Sequence, residues 1–151
     1  DSTIGQVIVS KHFTNTNNRQ YMFAITGTGS SQFKLHAYLS KDSTSGETPS
    51  DEVSSTTTTY VGATWYHVAL IYNDVDVRIY VNGALDCAPV GKTDGIYNGG
   101  AAFSVGGNFA GSVSYFSGLI DEVAVFDREL SSTEVLDIYN NGISGNKGGS
   151  D

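Results

Sequence analysis

A chain of 151 residues suits one domain, and a hydrophobic fraction of 39% supplies one thin core between two layers. Lys and Arg number 8 against 16 Asp and Glu, a formal net charge of −8. That balance argues against nucleic-acid or anionic-membrane partners, whose phosphates need clustered cations, and suits cations, neutral polymers such as glycans, or plain solubility in salt.

The 18 glycines, 2 prolines and plentiful Ser, Thr, Asn and Tyr favour short strands joined by tight turns over helices. Cys87 stands alone and cannot form an internal disulfide; it reads as a half-buried structural thiol beside a turn. No apolar run is long enough to span a bilayer and no leader peptide is evident. The chain opens on Asp1-Ser2-Thr3 without an initiator Met, so the expectation is a piece of something longer.

In chain order, Val7-Ile8-Val9 reads as a strand, Asn15 to Arg19 as a polar turn, and Tyr21 to Thr26 as a second strand closed by Gly27-Thr28-Gly29-Ser30. Phe33 to Ser40 alternates, with Phe33, Leu35, Ala37 and Leu39 on a dry face and Lys34, His36, Tyr38 and Ser40 on a wet one. Lys41 to Ser55 reads as a long surface loop, and Thr56 to Tyr60 is β-prone. Trp65 to Tyr72 is a strong strand with Val68, Leu70 and Tyr72 alternating against His67, Ala69 and Ile71, and Trp65 is expected to fill the interior. Asn73-Asp74 turns the chain into an antiparallel strand from Val77 to Val81, and Asn82-Gly83 supplies the left-handed pair that a hairpin prefers. Phe103 to Val105 and Leu119 to Phe126 read as the last strands, with a bulge or register change near Asp121 because Ile120 is out of phase with Val123 and Val125.

One helix is predicted over Ser132 to Asn140. Ser131-Ser132-Thr133-Glu134 is a capping box, Leu130 and Val135 form a hydrophobic staple, and Gly142 is the stop. Val135, Leu136 and Tyr139 are expected to pack on the strands. The predicted fold class is all-β, an antiparallel two-sheet sandwich with one short C-terminal helix, spanning residues 1–143. Residues 144–151 read as a polar, glycine-rich tail.

Three stretches carry a family likeness: Trp65-Tyr66-His67-Val68-Ala69-Leu70-Ile71-Tyr72, then Arg78-Ile79-Tyr80-Val81-Asn82-Gly83, then Gly118 to Ser131 followed by the capped helix. In this order and spacing, with Val105-Gly106-Gly107 ahead of the third, the chain resembles the laminin-G-like jelly roll of the concanavalin-A-like lectin/glucanase superfamily. The resemblance implies an extracellular, cell-surface or virion-surface recognition module that binds glycan or protein. It also implies a further strand or two ahead of Val7, which are not seen here. A fragment, strands supplied by another chain, and a shortened variant are the three explanations, and the expectation is part of a larger chain or assembly.

The same resemblance implies a structural Ca2+ near Asp121, where a carboxylate and backbone carbonyls can supply the oxygens calcium needs; a capped bulge is the alternative. Asp42, Glu47, Asp51 and Glu52 match no known calcium-loop spacing and read as solvated loop, and Asp74 and Asp76 read as turn residues. Lys34, His36 and Tyr38 share a strand face on which Tyr and His can stack on and hydrogen-bond a sugar; a solvated sheet face is the competing reading. Tyr97, Tyr115 and Phe116 sit in glycine-rich turns, where exposed aromatics suit a glycan or protein contact or else close the sandwich ends. Catalysis is not expected. Fold-sharing glycosidases need two close carboxylates on one strand face, whereas the adjacent Asp121 and Glu122 point opposite ways, and no nucleophile motif accompanies His12, His36 or His67. Two functions stay open: a recognition module for glycan or protein, helped by calcium, and a structural or decoration domain in a surface layer, adhesin, filament or virus particle.

Overall fold

A computed structural model of the chain describes residues 5–13, 18–29, 32–42, 52–56, 60–107 and 114–143. Two antiparallel sheets face each other. The first contains β1 (Gln6–Phe13), β2 (Asn18–Gly29), β3 (Gln32–Leu39), β4 (Glu52–Ser54), β5 (Tyr60–Val61) and β10 (Ser104–Val105), in the order β10-β1-β2-β3-β4 with β5 also on β3. The second is built around β7 (Asp76–Val81), flanked by β6 (Val68–Tyr72) on one side, and also paired with β8 (Ala84–Leu85) and β9 (Val90–Gly91). This is the all-β sandwich expected from the period-two patterning, and α1 (Ser132–Asn141) is its one helix among the described residues.

Alternation decides which residues meet between the sheets. Phe23, Leu35, Ala37, Leu39 and Val53 of the first sheet pack with Val77 and Ile79 of the second, together with Tyr60 and Cys87. Their residues are in register, Phe23 opposite Ala37 and Ile25 opposite Leu35, so one pleat face delivers them together. The Cys87 thiol is buried, takes the amide of Ile79 at 3.4 Å, and is pushed up in pKa first by burial. The pairing of Val7 with Ala24 and of Val9 with Phe23 leaves Ile8 as a bulge, so Ile8 and Val9 both turn toward the core.

Several expectations change. The wet face of β3 is buried: Tyr38 is 2% and His36 6% exposed, and Ser40 is also inside. The reason lies in β2, where Met22 and Ala24 stand opposite Tyr38 and His36 and form an apolar cluster with Val7 and Tyr38. Backbone crosses this side of the molecule, with Tyr97 N–H on Ser40 O at 2.7 Å and Gln20 Nε2 on Gly99 O at 2.7 Å. The surface-loop reading of Lys41 to Ser55 misses β4, which tucks Val53 into the core; Glu47 and Asp51 lie outside the described residues. Trp65 does not enter the core and is 64% exposed, the strand starting only at Val68. Leu119 to Phe126 forms no strand, and Glu122 within it has φ 48°, a left-handed conformation consistent with the irregularity expected beside Asp121.

The turns follow their sequences. Asn82 and Gly83 both have positive φ, 49° and 78°, in a two-residue hairpin that pairs Val81 with Ala84. Asn73 Oδ1 takes the amides of Val75 and Asp76 at 3.0 and 2.8 Å, and Asp74 adopts φ 64°. Ser131 caps α1 reciprocally: its Oγ accepts from Glu134 N–H at 3.2 Å and its N–H donates to Glu134 Oε2 at 2.8 Å. The buried helix residues are Val135 and Ile138, packed with Leu130, Ile71 and Tyr80 on the outer face of the second sheet. Leu136 and Tyr139 are half-exposed rather than core, because they lie over the Asn82-Gly83 turn beyond the sheet.

Candidate functional site

The two sheets do not close on each other along their whole length. A cleft of about 870 Å³ opens beside β6. Between the sheets it is lined by Phe23, Ile25 and Leu35 on one side and Val68, Leu70 and Tyr72 on the other, and it continues round β6 to Ile71, Leu130 and Val135 on the outer face. The Leu119 to Phe126 run lines it as well. This volume lies within the range of about 300–1,000 Å³ typical of ligand pockets. Residues that a closed sandwich would bury, among them Ile25, Phe33, Val68 and Leu70, are only partly covered. Leu119 is 77% and Val125 69% exposed, leaving apolar surface along the cleft mouth.

One strand edge faces this opening. Asn82 donates its backbone N–H to His67 O at 2.8 Å, which fixes the phase of the β6–β7 ladder. Ala69 opposite Tyr80 and Ile71 opposite Arg78 are then the bonded pairs. The N–H and C=O groups of Val68, Leu70 and Tyr72 therefore point away from β7. Among the described residues β6 has no strand on that side.

The charged groups of the cleft sit on its rim. Asp121 and Glu122 are exposed, and Asp121 Oδ1 accepts the Glu122 amide at 2.8 Å, a local turn contact. His67, also in the lining, has its pKa lowered by burial, partly opposed by the Glu122 charge, and its ring lies tilted by 40° to that of Tyr139, with centroids 5.9 Å apart. Arg128 is held by Glu134 through Nη2–Oε1 at 2.6 Å. Farther back, Arg78 ties β7 to the chain before α1: Nη1 donates to Glu129 Oε1 at 2.8 Å and Nη2 to Asp76 Oδ2 at 3.0 Å. Its Nε also lies 2.8 Å from Asp76 Oδ1, an ion contact without hydrogen-bond alignment.

The residues singled out from sequence do not form one site. Phe116 and Asp121 line the cleft. Tyr115 is 67% exposed with its ring against Gly107, and Tyr97 is half-buried; neither lines the cleft. His36 and Tyr38, expected on an open sheet face, are enclosed: His36 Nδ1 lies 3.1 Å from Ser54 Oγ and Tyr38 meets the His12 ring edge-on at 5.4 Å. Sequence reasoning did not find the β6 edge, since an unpaired strand reads the same as a paired one. The apolar phase break at Ile120 was the available signal that Leu119 to Phe126 departs from regular pairing.

Compared with known families, the laminin-G-type model of the concanavalin A-like lectin/glucanases superfamily matches residues 1–136. The chain belongs to this superfamily. Among curated proteins none matches it. Among solved structures, the crystal structure of an S-layer domain-containing protein from Clostridium thermocellum is similar, with 21% identity and a TM-score of 0.40. The match covers 92% of this chain and 65% of that one. Membership in the concanavalin A-like superfamily fixes the architecture and not the partner, because one such architecture carries many functions. Among the described residues of this concanavalin A-like domain, no three His, Cys, Asp or Glu side chains gather as metal ligands, and no helix is long and apolar enough to cross a membrane.

Proposed function

We propose that this domain is a non-catalytic assembly module of an extracellular or surface protein, which docks another polypeptide in the cleft between its sheets. One observation carries the reading: the cleft exposes apolar side chains from both sheets together with Leu119, Val123 and Val125. Surface of this kind, rimmed by charge, is what protein contacts cover. The superfamily fold supplies the rigid frame, and nothing in the chemistry of the lining groups requires a reacting substrate.

Peptide-display selection against the whole chain tests this. The expected result is a set of peptides that lose binding when Val123, half-exposed on the cleft wall, is changed to Asp, and keep it in Tyr115→Ala. A selection that yields only peptides indifferent to Val123→Asp contradicts the reading.

A second reading, glycan recognition, is favoured by Tyr115, a ring 67% exposed and braced on Gly107. Calcium assistance through Asp121 belongs to it. A glycan array run with and without chelator, in which every signal disappears in Tyr115→Ala, supports this alternative; an array without signal in either condition removes it.

A further inference from the structure

We infer that Asn98 is a site of spontaneous covalent modification, where the Gly99 nitrogen closes on the Asn98 side chain and an aspartyl or isoaspartyl residue results. The inference stands apart from the docking reading. Asn98 does not line the cleft, so its surroundings are independent of the opening beside β6.

An asparagine followed by glycine carries its own nucleophile. The Gly99 nitrogen attacks Asn98 Cγ, a new N–Cγ bond closes a succinimide ring, and the Cγ–Nδ2 bond breaks. The Gly99 amide proton passes to water, and the leaving nitrogen takes a proton from water and departs as ammonia. A second water then opens the ring. Addition at Cγ gives Asp in a normal chain. Addition at the main-chain carbonyl carbon of residue 98 leaves the chain running through the side chain, an isoaspartyl link. No atom is oxidised or reduced. Glycine matters at the second position because a Cβ there crowds the attacking nitrogen and narrows the backbone angles it can reach.

The sequence holds three such pairs, Asn82-Gly83, Asn98-Gly99 and Asn141-Gly142, and the fold restrains two of them. Asn82 is fixed in the β7–β8 turn at φ 49°, with its Oδ1 on the His67 amide at 3.0 Å and its own N–H on His67 O at 2.8 Å. Asn141 ends α1, and its Nδ2 donates to Asp137 Oδ1 at 2.6 Å. The nitrogen that would attack it, that of Gly142, is engaged with Ile138 O at 2.8 Å. Asn98 is exposed and lies outside helix and strand. Among the described residues, nothing bonds its side chain or the Gly99 N–H. A restrained pair reacts only from a locally opened minor state, whereas Asn98 reacts from the folded chain itself.

The position gives the reaction a consequence. Bonds on both sides of Asn98 tie its segment to the outer side of the first sheet: Tyr97 N–H donates to Ser40 O and Gln20 Nε2 to Gly99 O, each at 2.7 Å. Gln20 is 2% exposed, so its amide depends on Gly99 O in place of water. An isoaspartyl link inserts an extra carbon into the backbone between these two bonds and works against the Gln20 contact. Asp on a normal backbone adds only a charge at an exposed position.

The test incubates the full chain in mildly alkaline buffer, native and in urea. Peptide mass spectrometry follows the three pairs, and a protein isoaspartyl methyltransferase with labelled methyl donor counts isoaspartyl product. In the native chain Asn98 is expected to convert at least about tenfold faster than Asn82 or Asn141. In urea, where local sequence alone decides, the three are expected to agree within about threefold. Gly99→Ala is expected to slow Asn98 about tenfold in both conditions. Gly99 is not one of the left-handed glycines, so its backbone accepts Ala. The isoaspartyl fraction, purified by chromatography, is expected to unfold at a lower temperature than Asn98→Asp, which carries the same charge. An Asn98 that reacts no faster than Asn82 and Asn141 in the native chain overturns the inference. So does a tenfold lead that persists in urea, since sequence and not fold would then be its cause. Equal unfolding temperatures for the isoaspartyl fraction and Asn98→Asp contradict the consequence drawn for the Gln20 contact.

Discussion

Leu136 rests on Gly83: a Cβ placed at Gly83 would come 2.7 Å from Leu136 Cδ1 and 3.2 Å from Leu136 Cα. The hairpin turn of β7–β8 and the C-terminal helix are thereby seated on each other at a point where only glycine fits. Gly83 also has φ 78°, a region that L-residues occupy at a cost. Gly83→Ala is therefore expected to lower stability by about 1–3 kcal/mol in denaturant unfolding. Gly62, with ordinary backbone and open space around it, serves as the control, and Gly62→Ala is expected to change stability by less than about 0.5 kcal/mol.

The helix start provides a second expectation. Ser131→Ala removes the side-chain acceptor for the Glu134 amide and is expected to cost about 1 kcal/mol by thermal unfolding. Glu134 itself is lowered from 4.5 to about 2, first by the Arg128 hydrogen bond and then by the Ser131 backbone and hydroxyl. Its contribution to stability is thus complete above pH 4.5 and is lost as the pH falls toward about 2. Carboxyl NMR titration reads this directly; a Glu134 midpoint near the ordinary value contradicts the cap as described.

His36 acts at higher pH. Burial lowers its pKa below the ordinary 6.5, with Glu52 opposing and Lys34 adding to the shift. The unfolded chain then takes up the proton first on acidification, so folding loses stability as the pH drops below 6.5, and the loss stops growing once the folded pKa is passed. His36→Gln is expected to flatten the dependence between pH 7 and 5 in chemical denaturation. An unchanged slope contradicts a buried, neutral His36.

Arg78 joins Asp76 and Glu129 with three nitrogens of one planar group, a geometry a lysine cannot copy. Arg78→Lys is expected to cost about 0.5–1 kcal/mol, the modest value of a part-exposed pair, and less at high salt. Urea unfolding at two ionic strengths checks both statements.

How much of this was legible in the sequence depended on how local its cause is. Asn82-Gly83, Asn73-Asp74 and Ser131 to Glu134 each carry their geometry within four residues, and each is found as read. The inner face of the second sheet followed from alternation along β6. Burial of Tyr38 and His36 did not, because β3 alone alternates cleanly; the cue was the unbroken Tyr21-Met22-Phe23-Ala24-Ile25 run on its neighbour, which is apolar on both faces. Leu119 to Phe126 shows the opposite error. Its composition is that of a strand, but the left-handed backbone at Glu122 interrupts the extended conformation a ladder needs, and the run lines the cleft without pairing. The cleft, and with it the candidate site, is for that reason visible only in three dimensions.

Trp65 reports on the central claim, that the sandwich stands open beside β6. It is the single tryptophan, lines the cleft and is 64% exposed, so the emission of the isolated chain isolates this one place. Quenching of that emission by acrylamide and by iodide is the most direct measurement. An open cleft predicts red-shifted emission that both quenchers reach, moving to the blue and losing access when a selected peptide binds. Blue emission shielded from both quenchers in the isolated chain would mean the indole is already packed between the sheets, and would contradict the account.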